Sequence, residues 1–395
     1  MKRRRNVATR KLRIALVSDF FCPNTGGVET HIYHLGGCLL KKGHHVIVLT
    51  HVYGERKGIV YLSNGLKVYH IPFFSVTGQF VLPSVWGSVV AYRKIFHDEQ
   101  IDIVHGHSAF SPMAHEAMLH GWSLGLKTVF TDHSLFGFSD MAAIFLNRLL
   151  LRYSLPNIDR SICVSNVCKD NIVLRAGLNR HNVSVIPNAI DAKRFLPSKE
   201  PKTGPLTIVI VSRLVYRKGA DLLVQVIPRI CELHPDVRII IGGDGPKRID
   251  LEEMREIYSL EDRVEMRGML PHNKVRDVLI EGDIFLNCSL TEAFCVAIVE
   301  AASCGLHVVS TAVGGVPEVL PPEYITLAKP EIDDIVQALS SAIVRKQRNE
   351  FLDRITLHHA IRRMYRWEDV AERTEQVYMK TIQEDKVVKG QRLRK

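Results

Sequence analysis

Glu292 and Glu300 are separated by seven residues in SLTEAFCVAIVEAASCG, and upstream SRLVYRKG sets Arg213 and Lys218 beside a glycine. If both carboxylates sit on one helix, a rise of about 1.5 Å per residue puts them roughly 12 Å apart along its axis. That spacing suits a ligand with a hydroxyl-rich group at each end of a diphosphate, each end meeting one carboxylate. Cleaving such a ligand develops negative charge on phosphate, which Arg213 and Lys218 could stabilise without a metal. Taken singly, Glu300 could be a solvated helix face, Arg213 a surface ion pair and Lys218 a helix-start charge. Their joint order, after the strand-like runs TIVIVS and LNCS, reads as a functional site.

These residues need a scaffold, and the chain alternates strand and helix signals. Residues from Arg13 to Thr50 read as a strand (RIALVS), a glycine loop (PNTGGVET), a helix (THIYHLGGCLLKKG) and a strand (HHVIVLT), which is a βαβ unit. Strand-like IDIVHG, KTVFTD, RSICVS and VSVIP follow, with helix-like stretches around 111–124 and 141–154. KRFLPSKEPKTGPL interrupts this pattern as a linker. A second alternation then begins: TIVIVS, RIIIGGDG, RVEMRG, DIFLNCS, HVVST and YITLA. The reading is α/β, two Rossmann-like domains, with ligands expected beyond the strand carboxyl ends. Its parts are a basic tail (1–13), a first domain (14–191), a linker (192–206), a second domain (207–360), a carboxy-terminal helix (361–382) and a basic tail (383–395).

Composition narrows the function classes. The 395 residues, 46% of them hydrophobic, are enough for two separate cores. The net charge of +10 invites a nucleic-acid reading, but seven Lys or Arg fall in residues 1–13 and five in 386–395, leaving 40 basic against 42 acidic residues in the body. The basicity belongs to the tails, which suit an anionic membrane surface or act only as solubilising segments, and no nucleic-acid partner is expected. Eight scattered cysteines without a C-x-x-C pattern read as reduced core thiols of a cytosol-facing protein. Ile14 to Val17 is too short for a signal-peptide core, and no stretch reaches the roughly 18 apolar residues of a membrane span.

Further candidates fall at strand ends. Gly26 and Gly27 lie between the first strand and helix, where they could admit a phosphate or form a plain tight turn. The segment lacks G-x-G-x-x-G, which disfavours a dinucleotide oxidoreductase. His133 follows KTVFTD, and a neutral imidazole there could organise charge at a reacting centre. His107 in HGHS is a weaker candidate with a loop reading beside it, and Asp132 could orient His133 or cap the next turn. Gly243 and Gly245 close a strand in GGDGP, where Asp244 is equally a turn former. Asn188 in IPNAID is either a site residue or a strand-end Asn. The amides of Phe294 and Cys295, near a helix start, could meet diphosphate oxygens. FVLPSVWGSVVAYRKIF (80–96) places Phe80, Trp86 and Val90 ahead of Arg93 and Lys94, as either an amphipathic membrane element or ordinary core.

The E-x7-E motif with its Arg/Lys pair resembles the retaining glycosyltransferases of the GT4 family, which carry these elements in the second half of a GT-B fold. That resemblance implies two domains facing a central cleft. Glu292 would then face the donor sugar, Glu300 would bind ribose hydroxyls, and Asn188 matches a family position near the donor. The GGVE loop would lie near diphosphate and acceptor, and His133 matches the family's strand-end histidine. No D-x-D occurs, in keeping with no cofactor and no metal, and no carboxylate is obviously placed to form a glycosyl-enzyme, so front-face retention is expected.

Over about 14–380 the segments VSDFFCPNTGGVETHIYHL, FTDHSLFGFSD, VSRLVYRKGADLL, GGDGPKRIDLEE and SLTEAFCVAIVEAASCGL resemble the catalytic subunits of phosphatidylinositol N-acetylglucosaminyltransferase. The resemblance implies transfer of N-acetylglucosamine from UDP-GlcNAc to phosphatidylinositol in a multi-subunit complex, on the cytoplasmic face of the endoplasmic reticulum. Members of that family usually carry a membrane span after the catalytic region, whereas this sequence ends at VVKGQRLRK; the expectation is a missing anchor, or membrane binding through tails and partners. A GT4 enzyme with another donor or acceptor, such as a mannosyltransferase acting on an inositol lipid, and a non-enzymatic basic binding module are the competing readings.

Overall fold

The computed structural model describes residues 10–24, 26–73, 75, 81–82, 85–135, 151–200 and 202–392. The basic runs at 2–5 and 394–395, Phe80, the helix-like stretch expected at 141–150 and the side chain of Trp86 lie outside the described residues. The chain divides into two compact units: Met1–Val164 with Lys169–Ile186 and Trp367–Lys395, and Ser165–Cys168 with Pro187–Arg366.

The first unit is built on an eight-stranded sheet in the order β3-β4-β2-β1-β5-β6-β7-β8. Its strands are β1 Arg13–Val17, β2 His45–His51, β3 Gly58–Tyr61, β4 Lys67–Ile71, β5 Ile103–His107, β6 Lys127–Asp132, β7 Arg160–Cys163 and β8 Val183–Val185. Every neighbouring pair is parallel except β3 with β4. A parallel strand is covered on both faces, so it reads as a continuous apolar run. Ile14, Ala15, Leu16, Val17, Ile47, Val48 and Leu49 accordingly have no exposed surface. Burying a side chain of the larger kind stabilises by about 1.5–3 kcal/mol.

The helix Trp367–Arg392 belongs to this first unit. Val370, Ala371, Thr374, Val377, Tyr378 and Thr381 are buried at three- and four-residue spacing, one stripe of a helix. Glu375 anchors it, accepting from Lys42 and His44 at 2.9 Å each.

The second unit holds a wholly parallel six-stranded sheet in the order β11-β10-β9-β12-β13-β14. Its strands are β9 Thr207–Val211, β10 Arg238–Gly242, β11 Val264–Gly268, β12 Ile284–Asn287, β13 His307–Thr311 and β14 Ile325–Ala328. Counted within the unit this is the 3-2-1-4-5-6 order of doubly wound nucleotide-binding sheets.

Two expected boundaries move. The chain enters the second unit at Pro187, so the stretch expected as the end of the first domain and a linker (192–206) is part of the second. Phe195 is 2% exposed and its carbonyl accepts from the Ser303 hydroxyl at 2.8 Å, while Arg276 Nε donates to the Leu196 carbonyl at 2.8 Å. The single helix expected at 361–382 is two, Arg354–Met364 in the second unit and Trp367–Arg392 in the first. Ile361 is fully buried and the Tyr365 hydroxyl donates to the Val319 carbonyl, which ties the break to the second unit.

Candidate active site

In doubly wound sheets the strand order reverses at one point, and the loops beyond the carboxyl ends of the two central strands part there to leave a binding crevice. In the second unit the reversal lies between β9 and β12. β9 leads into the loop at 212–219, which carries Arg213 and Lys218, and β12 into the loop at 288–295, which carries Glu292. The fold thus brings together residues 74 positions apart: Lys218 Nζ and Glu292 Oε1 form an ion pair, with side chains 21% and 12% exposed. Glu292 is held further by the Ser289 hydroxyl, which donates to Oε1 at 2.8 Å, and by the Gly315 N–H, which donates to its carbonyl at 2.9 Å.

Close approach of the two loops depends on Gly219. Its φ is +74°, and a Cβ built there would lie 1.8 Å from the Cys288 carbonyl oxygen. The Leu290 N–H donates to the Arg217 carbonyl at 2.9 Å, a second tie between the loops. Arg213 is positioned by its neighbours: the Ser212 N–H donates to the Gly242 carbonyl at 3.1 Å and the Leu214 N–H to the Asp244 carbonyl at 2.9 Å. This is the role of GGDGP. Cβ atoms on Gly243 and Gly245 would strike the Ser212 and Leu214 carbonyl oxygens at 1.8 and 2.4 Å, and Asp244 accepts from the Gly245 N–H at 2.7 Å as a turn former.

The side chains of Arg213 and Arg217 are exposed and make no hydrogen bond or ion pair among the described residues. Partial desolvation and the nearby Arg213 charge push the Arg217 pKa down, with Glu292 opposing them. Two like charges without a hydrogen bond or ion pair among the described residues, beside a paired lysine, form an arrangement that an anion would relieve. Arg217 went unremarked in the sequence, although it stands directly before Lys218.

Glu292 and Glu300 do not share a helix axis, contrary to expectation. The helix is Val296–Ser303, and Cys295 before it takes a left-handed backbone at φ 64° and ψ 80°, which separates the Glu292 loop from the helix. Cys295 and Phe294 are 9% and 3% exposed, and Phe294 meets the Tyr365 ring edge-on at 5.7 Å. No side chain caps this helix start, and the Ile298 N–H donates back to the Cys295 carbonyl at 3.2 Å. Burial raises the Glu300 pKa from 4.5 to about 7, with the Arg194 charge pulling the other way. Asn188, 7% exposed, sits near the start of the second unit's main segment.

In the first unit the reversal lies between β1 and β5. The loop after β1 carries Gly26, extended at φ −167°, and Gly27, whose missing Cβ faces nothing within 4 Å. Gly27 therefore leaves open space and relieves no internal clash. β5 ends at His107 and β6 is followed by His133; His107 Nδ1 and His133 Nε2 are 3.3 Å apart. His107 has no exposed surface, so the expected acceptor-side or membrane contact through it is replaced by this internal one. His31 and His105, not anticipated, pack beside them, with His31 to His133 ring centroids at 4.7 Å and His105 to His107 at 4.1 Å. Asp132 accepts from the Ser134 N–H at 3.0 Å and so holds the turn, while burial lifts its pKa to about 7. Arg93 is exposed on the helix Val85–Asp98, whose Tyr92 and Phe96 are buried while Val90 is 72% exposed.

Residues 51–140 match the family described as PIGA (GPI anchor biosynthesis), and residues 191–355 match glycosyl transferases group 1. A phosphatidylinositol N-acetylglucosaminyltransferase subunit of Arabidopsis thaliana is 54% identical over 376 residues, covering 94% of this chain and 83% of that protein. The same-named Homo sapiens protein is 53% identical over 370 residues, covering 94% and 76%. The chain belongs to this family of N-acetylglucosaminyltransferase subunits. It is a glycosyltransferase of GPI-anchor biosynthesis. The fold is GT-B. Anabaena HepE, in complex with UDP and glucose, matches at a TM-score of 0.74 with 16% identity, covering 93% of this chain and 99% of that one. Sucrose-phosphate synthase from Thermosynechococcus elongatus matches at 0.74 with 20% identity, covering 93% and 98%. Among the described residues, no helix of this family member is long and apolar enough to cross a membrane.

Proposed function

We propose that the protein transfers N-acetylglucosamine from UDP-GlcNAc to phosphatidylinositol with retention of configuration. The observation that carries the proposal is the cation cluster at the second unit's reversal point: Lys218 paired with Glu292, beside Arg213 and Arg217, which have no protein partners among the described residues. Bound there, the donor diphosphate meets Arg213, Lys218 and the amides of Phe294 and Cys295 just before the helix Val296–Ser303. Glu300 accepts from the ribose hydroxyls, Glu292 faces the sugar while holding Lys218, and His133 hydrogen-bonds a hydroxyl of the transferred sugar. The bond from C1 to the phosphate oxygen breaks as the inositol hydroxyl approaches from the same face. Its proton passes to the departing phosphate oxygen, the new C1–O bond forms, and UDP leaves. Preorganised cations stabilise the charge that grows on that oxygen, and no metal is required for the step. The setting is the cytoplasmic face of the endoplasmic reticulum membrane, in a complex with other subunits.

The test is a donor panel on purified complex with phosphatidylinositol vesicles, with product analysed by anomeric coupling. α-Linked N-acetylglucosaminyl product from UDP-GlcNAc, and none from GDP-mannose, is expected. Mannosyl product, or an inverted linkage, overturns the proposal.

A further inference from the structure

The two edges of the first unit's sheet are finished differently. At β8 the outward carbonyls are closed from within the chain: Lys169 Nζ donates to the Val183 carbonyl at 2.7 Å and Arg373 Nη2 to the Val185 carbonyl at 2.6 Å. At the other edge β3 pairs with β4 alone, and no side chain bonds to the Ile59 or Tyr61 backbone among the described residues.

The hairpin fixes which backbone groups of β3 face outward. The Leu62 N–H donates to the Leu66 carbonyl at 2.9 Å, and the Gly65 N–H donates back to the Leu62 carbonyl at 2.9 Å, with Gly65 left-handed at φ 88°. This is a turn closed by a glycine bulge, and it makes Leu62 a hydrogen-bonded position. Hydrogen-bonded and non-bonded pairs alternate along an antiparallel ladder. In the register Tyr61↔Lys67, Val60↔Val68, Ile59↔Tyr69 and Gly58↔His70, it is Val60 and Gly58 that bond to β4. The N–H and C=O groups of Ile59 and Tyr61 therefore point away from the sheet. The same two residues expose their side chains, by 49% and 68%, on one face of the strand.

Unpaired backbone groups beside exposed apolar side chains are a template for another strand, and edges left to solvent are blunted by charge, proline or a bulge. β3 is short, but Gly58–Tyr61 carries none of these three. Just before it Arg56 and Lys57 are exposed, outnumber Glu55 and make no ion pair among the described residues. They call for an acidic group on whatever docks.

We propose that β3 is a docking edge for another subunit, which adds an extended segment to this sheet as a further strand. The guest bonds to the Ile59 and Tyr61 backbone, lays alternate apolar side chains against theirs, and sets an acidic residue against Arg56 and Lys57. The inference rests on the proposed function's placing this chain in a complex.

The experiment is hydrogen exchange with mass spectrometry on the full chain alone and in the purified complex, read on overlapping peptides across residues 58–62. Alone, the Ile59 and Tyr61 amides should exchange about as fast as in an unstructured peptide; in the complex they should slow at least about tenfold. Tyr61→Pro is the matching variant. The N–H it loses faces outward, so the β3–β4 ladder and the thermal melt should be kept. Its ring blocks the incoming strand, and co-purification of the other subunits should fall at least about tenfold. Unslowed exchange in the complex, or full assembly by Tyr61→Pro, overturns the proposal. So does slowing in the isolated chain that grows with its concentration, which would make the guest a second copy. If Tyr61→Pro melts early, the wild-type comparison still decides. A wild-type chain that assembles with no other subunit would instead overturn the complex beneath the inference.

Discussion

Glu300 titrates at about 7, and its job in the proposed site is to accept hydrogen bonds from ribose, which only its ionised form does fully. In the free protein the folded state holds this proton more tightly than the unfolded chain. Its contribution to stability therefore declines as pH rises from about 4.5 to about 7 and is level above that. Donor binding runs the other way, since binding to the carboxylate releases the proton. With a pKa of about 7, about one Glu300 in eleven is ionised at pH 6 and about ten in eleven at pH 8. UDP-GlcNAc should thus bind roughly tenfold more weakly at pH 6 than at pH 8, about 1.4 kcal/mol. UDP-GlcNAc suits the assay because its diphosphate diester does not titrate in this range. Glu300→Gln should bind more weakly overall, by about 1.5–3 kcal/mol for a lost charged acceptor, and should show no slope. Calorimetric titration of both proteins at the two pH values decides. A flat wild-type profile, or the same slope in Glu300→Gln, refutes the reasoning.

Gly219→Ala should cost about 3 kcal/mol or more and abolish transfer, because a left-handed residue would gain a Cβ inside the Cys288 carbonyl; a thermal melt within a degree or two of wild type would contradict this. Tyr378→Phe should cost about 1–3 kcal/mol by leaving His105 Nδ1 without its partner, read by chemical denaturation of the full chain. On the proposed mechanism chelator should leave the transfer rate nearly unchanged, because Arg213, Arg217 and Lys218 would supply the charge at the diphosphate. Loss of activity in EDTA restored by Mn²⁺ would show that they do not suffice.

The sheets were legible because buried parallel strands are apolar without a break: RIALVS, HHVIVLT, TIVIVS and RIIIGG all became strands. β3 and β4 escaped notice. β3 lies at the sheet edge with Gly58, Ile59 and Tyr61 exposed, and an edge strand need not be apolar. Arg213, Lys218, Glu292 and Glu300 could be picked out by residue type, but the Lys218–Glu292 ion pair arises from strand order, which pattern does not reveal. The left-handed turn at Cys295 was hidden because cysteine carries no conformational signal of the kind glycine does. Buried histidines at 31 and 105 were passed over for a similar reason: a histidine in a strand or helix reads the same whether it faces solvent or another imidazole.

The most direct measurement is transfer by Lys218→Ala and Arg213→Ala in purified complex, with UDP-GlcNAc affinity taken alongside the turnover rate. If these cations stabilise the departing phosphate, kcat should fall by about 10²–10³, about 2.7–4 kcal/mol, with a much smaller change in donor affinity and an unchanged thermal melt. Near-normal turnover in both variants would contradict the account.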